Sequence, residues 1–241
     1  MTVLLLRLAG PLQAWGDSSR FVRRETRQEP TKSGVLGLLA AAQGRRRTDP
    51  IEDLAAMTFA VRVDQPGRLV RDFQTARSLD ESRTMPLSYR YYLADAIFLA
   101  AVEADRALLE GLLDALRHPT FPLYLGRRSC PPAGPLALGL RESDVVQALT
   151  DEPWQAAPWY RRTQAELLDL PVVHDATDSA QASEMIRDHP LSFSPVRREY
   201  EWRAVTHSTV QMKNETAQPP TGSSIRRTPL AHDPFAALGG A

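Results

Sequence analysis

The chain has 241 residues, 43% of them hydrophobic, with a formal net charge of zero at pH 7 and a single cysteine. That length buries roughly 70 to 75% of the unfolded surface, enough for one large domain or two small ones, and the lone Cys130 excludes an internal disulfide and a cysteine-based zinc site. The apolar run at residues 3–6 is broken by Arg7 and is too short for a signal peptide or a membrane span, so a cytoplasmic protein without membrane contact is expected.

In chain order, residues 2–9 are Leu-rich and β-branched and predict a buried strand, ended by Gly10-Pro11. The loop at 10–29 mixes Trp15 and Phe21 with Arg20, Arg23, Arg24 and Arg27. Unpaired bases stack on such side chains, although Trp15 could equally plug the edge of a core. Residues 30–44, PTKSGVLGLLAAAQG, predict a helix over 32–43 that stops at Gly44. Thr31 or Ser33 would cap it, and Lys32 beside the free amides of the first turn would draw an anion, if this is more than an ordinary capped core helix. Gly34 and Gly37 share a face and imply close approach of another group. Arg45, Arg46 and Arg47 complement the helix C-terminus.

A short helical turn is expected through Met57, then a strand at 58–64, a Pro66-Gly67 turn, and a strand at 68–75 with Leu69, Val70 and Phe73 on its core side. The period lapses from 76 to 88, which predicts a hairpin with a long projecting tip carrying Arg77 and Arg83, with Arg90, Tyr91 and Tyr92 at its root. A strand-rich run at 89–102, a helix over 105–117 and a strand at 135–140 follow, with a tight turn holding Tyr124, Gly126, Arg127 and Arg128 between the last two. The order β-α-β-β-α-β is the α+β, ferredoxin-like pattern shared with the RNA-recognition fold. Residues 143–212 read as a smaller β-rich part with a helix at 144–149 and strands at 166–173, 185–193 and 198–210. The polar tail at 213–241 reads as disordered.

Charge is segregated along the chain: residues 1–47 carry nine basic and three acidic groups, net +6, and residues 143–199 carry five basic and ten acidic, net −5. The first stretch suits a polyanion and the second a basic protein surface. Hydrolytic chemistry has little foothold. Thr26 and Thr31 stand where a P-loop needs glycines, the five histidines have no metal-ligand spacing, and no GxSxG elbow occurs, so neither cofactor nor metal is expected. Metal-independent RNA cleavage needs only a base and a cation, for which Tyr89, Tyr91, Lys32 or His118 are the candidates.

Five ordered blocks, LRLAGPLQAWG (6–16), PTKSGVLGLLAAAQG (30–44), RDFQTA (71–76), YRYYLADAIF (89–98) and YLGRRSCP (124–131), resemble the CasD subunit family of the type I-E CRISPR surveillance complex Cascade, within the RAMP superfamily. The resemblance implies a ferredoxin-like domain at 1–142 with a thumb near 76–88. It also implies a non-catalytic role in antiviral defence: capping the 5′ handle of the CRISPR RNA and joining the CasC backbone subunits to the large subunit CasA, with target DNA met only through the complex. Carried over by block, Gln13, Trp15, Thr31, Lys32, Ser33 and Gly34 would bind the handle, with Tyr124, Gly126, Arg127, Arg128 and Ser129 as a second wall. Arg27, Arg77, Arg90 and Tyr91 complete the candidate RNA surface, as does Gln74, which stands where relatives often carry His. The alternative is an endoribonuclease that processes CRISPR repeat RNA.

Overall fold

The computed structural model of the chain describes residues 1–16, 23–178, 180 and 182–217. Arg20 and Phe21 of the first loop, and the tail from 218 onward, lie outside the described residues.

The elements run β1 (Thr2–Ala9), β2 (Leu12–Gln13), β3 (Arg23–Arg24), α1 (Lys32–Ala42), α2 (Glu52–Ala55), β4 (Thr58–Gln65), β5 (Arg68–Gln74), β6 (Ser88–Ala94) and β7 (Ile97–Ala104). They continue as α3 (Arg106–Arg117), β8 (Ala137–Arg141), α4 (Val145–Asp151), α5 (Pro158–Arg161), β9 (Leu167–Asp175), β10 (Glu184–Ser192) and β11 (Glu199–Lys213). One sheet of seven strands has the order β10-β11-β9-β4-β7-β1-β8, and each neighbouring pair is antiparallel.

β1 is buried along both faces because its alternate residues enter different cores. Leu4, Leu6 and Leu8 pack with α1 and α3, whereas Val3 and Leu5 pack with Val145, Ala148 and Leu149 of α4. At about 1.5–3 kcal/mol for each fully buried Leu or Val, this strand is the centre of a three-layer arrangement. The segment expected as a small C-terminal part joins that arrangement through backbone pairing: β9 hydrogen-bonds β4 with Val61 opposite Val173, and β11 and β10 extend the sheet from there.

A second, smaller sheet is built on β6, which pairs β5 along one edge and the short β2 and β3 on the other. Beyond it the hairpin narrows through an Arg77–Thr84 bridge to a turn closed by Ser78 and Arg83. The core side expected for β5 is corrected by this geometry. Leu69 and Phe73 are 63% and 65% exposed and Val70 is 42% exposed, because among the described residues β5 pairs only with β6, and residues 69 and 70 point to opposite faces.

α1 starts where Thr31, in extended conformation, accepts a hydrogen bond from the Gly34 amide, and it ends at Gly44 in the left-handed region. Its glycines do different things. A Cβ at Gly34 would stand 2.8 Å from the Trp15 ring, but one at Gly37 would meet only Phe193 at 3.7 Å, an ordinary contact. Gly37→Ala should therefore stabilise the protein by about 0.5–1 kcal/mol through helix propensity, read as a higher urea midpoint with an unchanged slope. Among the described residues no helix is long and apolar enough to cross a membrane.

Candidate nucleic-acid interface

A groove runs along the outer face of α1. Ser33, Gly34, Gly37, Leu38 and Ala41 form its floor, where the small Ser33, Gly34, Gly37 and Ala41 leave the helix backbone little covered. Phe121, Pro122, Tyr124, Gly126 and Arg128 form one wall, Phe193, Arg198 and Tyr200 the other, and Arg45, Arg46 and Arg47 close the helix C-terminal end. It encloses about 510 Å³ and opens into a second hollow of about 290 Å³ that adds Arg24, Arg127 and Arg187. Eight arginines thus line the two hollows, and no carboxylate does among the described residues. Arg46, Arg47, Arg128 and Arg198 form no ion pair among the described residues, whereas Arg45 is held bidentately by Asp53. Burial pushes the Tyr200 hydroxyl above its ordinary pKa, and the neighbouring Arg198 and Arg47 pull it partly back. Guanidinium groups around aromatic faces, most of them without an acidic partner among the described residues, make a surface for a phosphodiester chain with unpaired bases.

The turn that carries the first wall depends on Gly126. Its φ is +90°, and a Cβ there would lie 1.8 Å from the Ala14 carbonyl oxygen. Gly126→Ala should cost about 2–3 kcal/mol, since backbone rather than a yielding side chain blocks the methyl group; a lowered thermal midpoint checks this.

The sequence-derived site residues fall into three groups. Tyr124, Gly126, Arg128, Ser33 and Gly34 line the groove. Gln74 and Arg77 lie exposed on the hairpin, and Arg90 and Tyr91 sit half-buried on β6, with Arg23 over the Tyr91 ring at 5.3 Å. The remainder are held by contacts within the chain itself, with Arg127 also lining the second hollow. Gln13 is fully buried, donating to the Leu8 and Ala96 carbonyls and accepting from the Trp15 indole N–H at 3.1 Å. Trp15 is 1% exposed, so its ring has no face to offer a base. Thr31 is spent as the cap.

Lys32 is the most deeply engaged of the charged residues in this set. It is 4% exposed, its Nζ lies 3.1 Å from Asp175, and its amide donates to Asp188 at 2.8 Å, so the helix N-terminus is already met by a carboxylate of the chain itself. Burial lowers the Lys32 pKa, and Asp175 offsets part of that drop. Arg27 likewise pairs with Glu29 and Glu184. Part of the charge segregation along the sequence is therefore consumed by pairing of the basic N-terminal stretch with the acidic later one. Arg127 acts as a clamp, donating to the carbonyls of Tyr91, Arg24 and Glu25 while stacked 4.8 Å over Tyr92, and Ser129 donates to the Tyr92 hydroxyl. Of the groups named for RNA cleavage, Lys32 is thus committed inside, and His118 stands exposed at the end of α3 beside Asp114.

Phe121, Phe193, Arg187, Arg198 and Tyr200 were not legible as site residues, and Arg45–Arg47 read only as a helix-end complement. The one signal was the repeated form Arg-Arg near Tyr, at 124–128 and again at 197–200.

Residues 3–206 match the family described as CRISPR-associated protein (Cas_Cas5). The "CRISPR system Cascade subunit CasD" of Escherichia coli (strain K12) is 40% identical over 170 residues, covering 61% of this chain and 75% of that protein. A solved structure described as "CRISPR RNA-guided surveillance complex" contains a chain 32% identical with a TM-score of 0.76, covering 91% of this chain and 95% of that one. Another, "Crystal structure of Cas protein", is 39% identical with a TM-score of 0.69, covering 89% and 97%. The chain, a mixed α/β protein built on a long antiparallel sheet, belongs to the CRISPR-associated Cas5 family.

Proposed function

We propose that this chain is an RNA-binding, non-catalytic subunit of a CRISPR surveillance complex and that the CRISPR RNA lies in the groove along α1. The observation that carries this is the groove's composition: eight arginines and several aromatic rings with no carboxylate among its described lining residues. Arginine forks bind phosphate oxygens, and the rings of Phe121, Tyr124, Phe193 and Tyr200 offer stacking faces to bases splayed from the strand. On this reading the groove holds the 5′ handle, and the exposed β5–β6 hairpin with Leu69, Phe73, Gln74 and Arg77 is the thumb that meets the CasC backbone and the RNA beside it. CasA is the partner expected on the remaining surface. The part containing β1, α1, β4, β7, α3 and β8 is read as a ferredoxin-like unit, in keeping with its strand order β4-β7-β1-β8.

The test is co-purification. Tagged full-length chain expressed with the other complex subunits and a repeat-spacer RNA should bring down guide-length RNA and large partner proteins. Recovery of the chain alone and free of RNA, or cleavage of repeat RNA by the purified chain, would contradict the proposal.

A further inference from the structure

The floor and the second wall of the groove come from parts of the chain that no backbone ladder joins. α1 supplies the floor, and the turn from β10 into β11 supplies Phe193 and Arg198, with Tyr200 at the start of β11. Between them lies a cluster of four charges withdrawn from solvent. Asp188, on β10 five residues before Phe193, is 1% exposed. Its Oδ2 accepts the first amide of α1, Lys32 N, at 2.8 Å, and its two oxygens receive Arg203 Nε and Nη2, each at 2.8 Å. Arg203 on β11 also donates to Asp175, which in turn accepts from Lys32 Nζ at 3.1 Å and from the Phe59 amide at 3.0 Å. Two cations and two anions balance: Lys32 and the Phe59 amide tie α1 and β4 to Asp188 and Asp175, and Arg203 on β11 holds those two carboxylates of β10 and β9 in place.

A buried ion cluster is a weak source of stability, because the cost of desolvating each charge offsets most of the attraction. Its fork geometry is, however, strongly directional. Apolar side chains would hold α1 against β10 as well but would let it slide. We propose, resting on the reading of the groove as an RNA site, that Asp188 and Arg203 are positioning residues: they fix α1 relative to the Phe193–Arg198–Tyr200 wall and so set the width of the groove, without touching RNA. Asp188 also fills the α1 N-terminus, which directs a bound strand to the side of the helix and to the arginines there.

The test compares Asp188→Asn, Asp188→Asn with Lys32→Met, Arg203→Lys and Arg198→Ala in the full chain, each titrated with a short single-stranded RNA at several salt concentrations. Asp188→Asn should weaken binding about tenfold while leaving the slope of affinity against salt unchanged, because no phosphate contact is lost. Adding Lys32→Met, which restores neutrality in the cluster, should recover most of that loss. Arg198→Ala should weaken binding and also flatten the slope by roughly 0.7. If Asp188→Asn does not melt cooperatively, Arg203→Lys carries the test, since a lysine keeps the charge but cannot fork onto both Asp188 and Asp175; it too should lose affinity at constant slope. Wild-type affinity in Asp188→Asn, or in Arg203→Lys where that variant carries the test, with Arg198→Ala still weakened, would overturn the positioning role and leave the groove reading standing. If Arg198→Ala is itself unchanged in affinity and slope, the groove reading falls.

Discussion

Replacing Arg46, Arg128 and Arg198 together by alanine should weaken RNA binding at least about a hundredfold, given roughly 1 kcal/mol or more for each charged phosphate contact. The three side chains come from the segment just past α1 and from the two walls, so the loss spans the length and width of the groove. The sharper signature is ionic. The slope of log affinity against log salt should fall by about 2, which is three contacts at roughly 0.7 each for a single strand. Filter binding or fluorescence anisotropy of labelled RNA over a salt series measures it. Because these arginines form no ion pairs among the described residues, the triple variant should melt within a degree or two of wild type. An equal loss of affinity with an unchanged salt slope would place the effect on folding and not on phosphate recognition.

Asp64→Asn should lower the unfolding free energy by about 3–5 kcal/mol. Arg62 and Asp64 are both fully buried, with Arg62 Nε 2.6 Å from Oδ1 and Nη2 2.9 Å from Oδ2. The guanidinium also donates to the carbonyls of Leu149, Glu152 and Pro153, while Asp64 accepts from the Gln155 amide at 2.6 Å and, through its carbonyl, from the Trp154 indole at 2.8 Å. The pair pins the segment after α4 to the middle of β4. Asparagine keeps the shape but leaves an uncompensated buried cation. Urea unfolding followed by tryptophan fluorescence, which includes buried Trp154, should show the lowered midpoint. A shift under about 1 kcal/mol would mean that water or a rearranged carbonyl shell replaces the charge.

The local elements were readable because their causes are local. β1 announces itself by an unbroken apolar run, α1 by a cap, small apolar residues and a terminal glycine, and α3 by Leu109, Leu112 and Leu116 at helical spacing. The line of the groove was half visible, since Ser33, Gly34, Tyr124, Gly126 and Arg128 lie in blocks recognisable by resemblance. What could not be read is the fate of a side chain decided by a partner far along the chain. Lys32 and Trp15 look like ligand-facing residues until Asp175 and Asp188, some 150 positions away, take the charge and the core closes over the ring. The same distance hid the second wall, because nothing local to Phe193, Arg198 or Tyr200 says that β10 and β11 fold back beside α1. The exposed β5 was misjudged for a related reason: apolar side chains on a strand imply a covering layer, and this strand has none among the described residues.

The most direct measurement is zero-length photocross-linking of 4-thiouridine-substituted CRISPR RNA within the assembled complex, with the attachment sites on this chain mapped by mass spectrometry. Cross-links should concentrate in residues 121–128 and 193–200, the two walls of the groove. Cross-links confined to the opposite face of the sheet, on α4 and α5, would contradict the assignment of the groove along α1 as the RNA site.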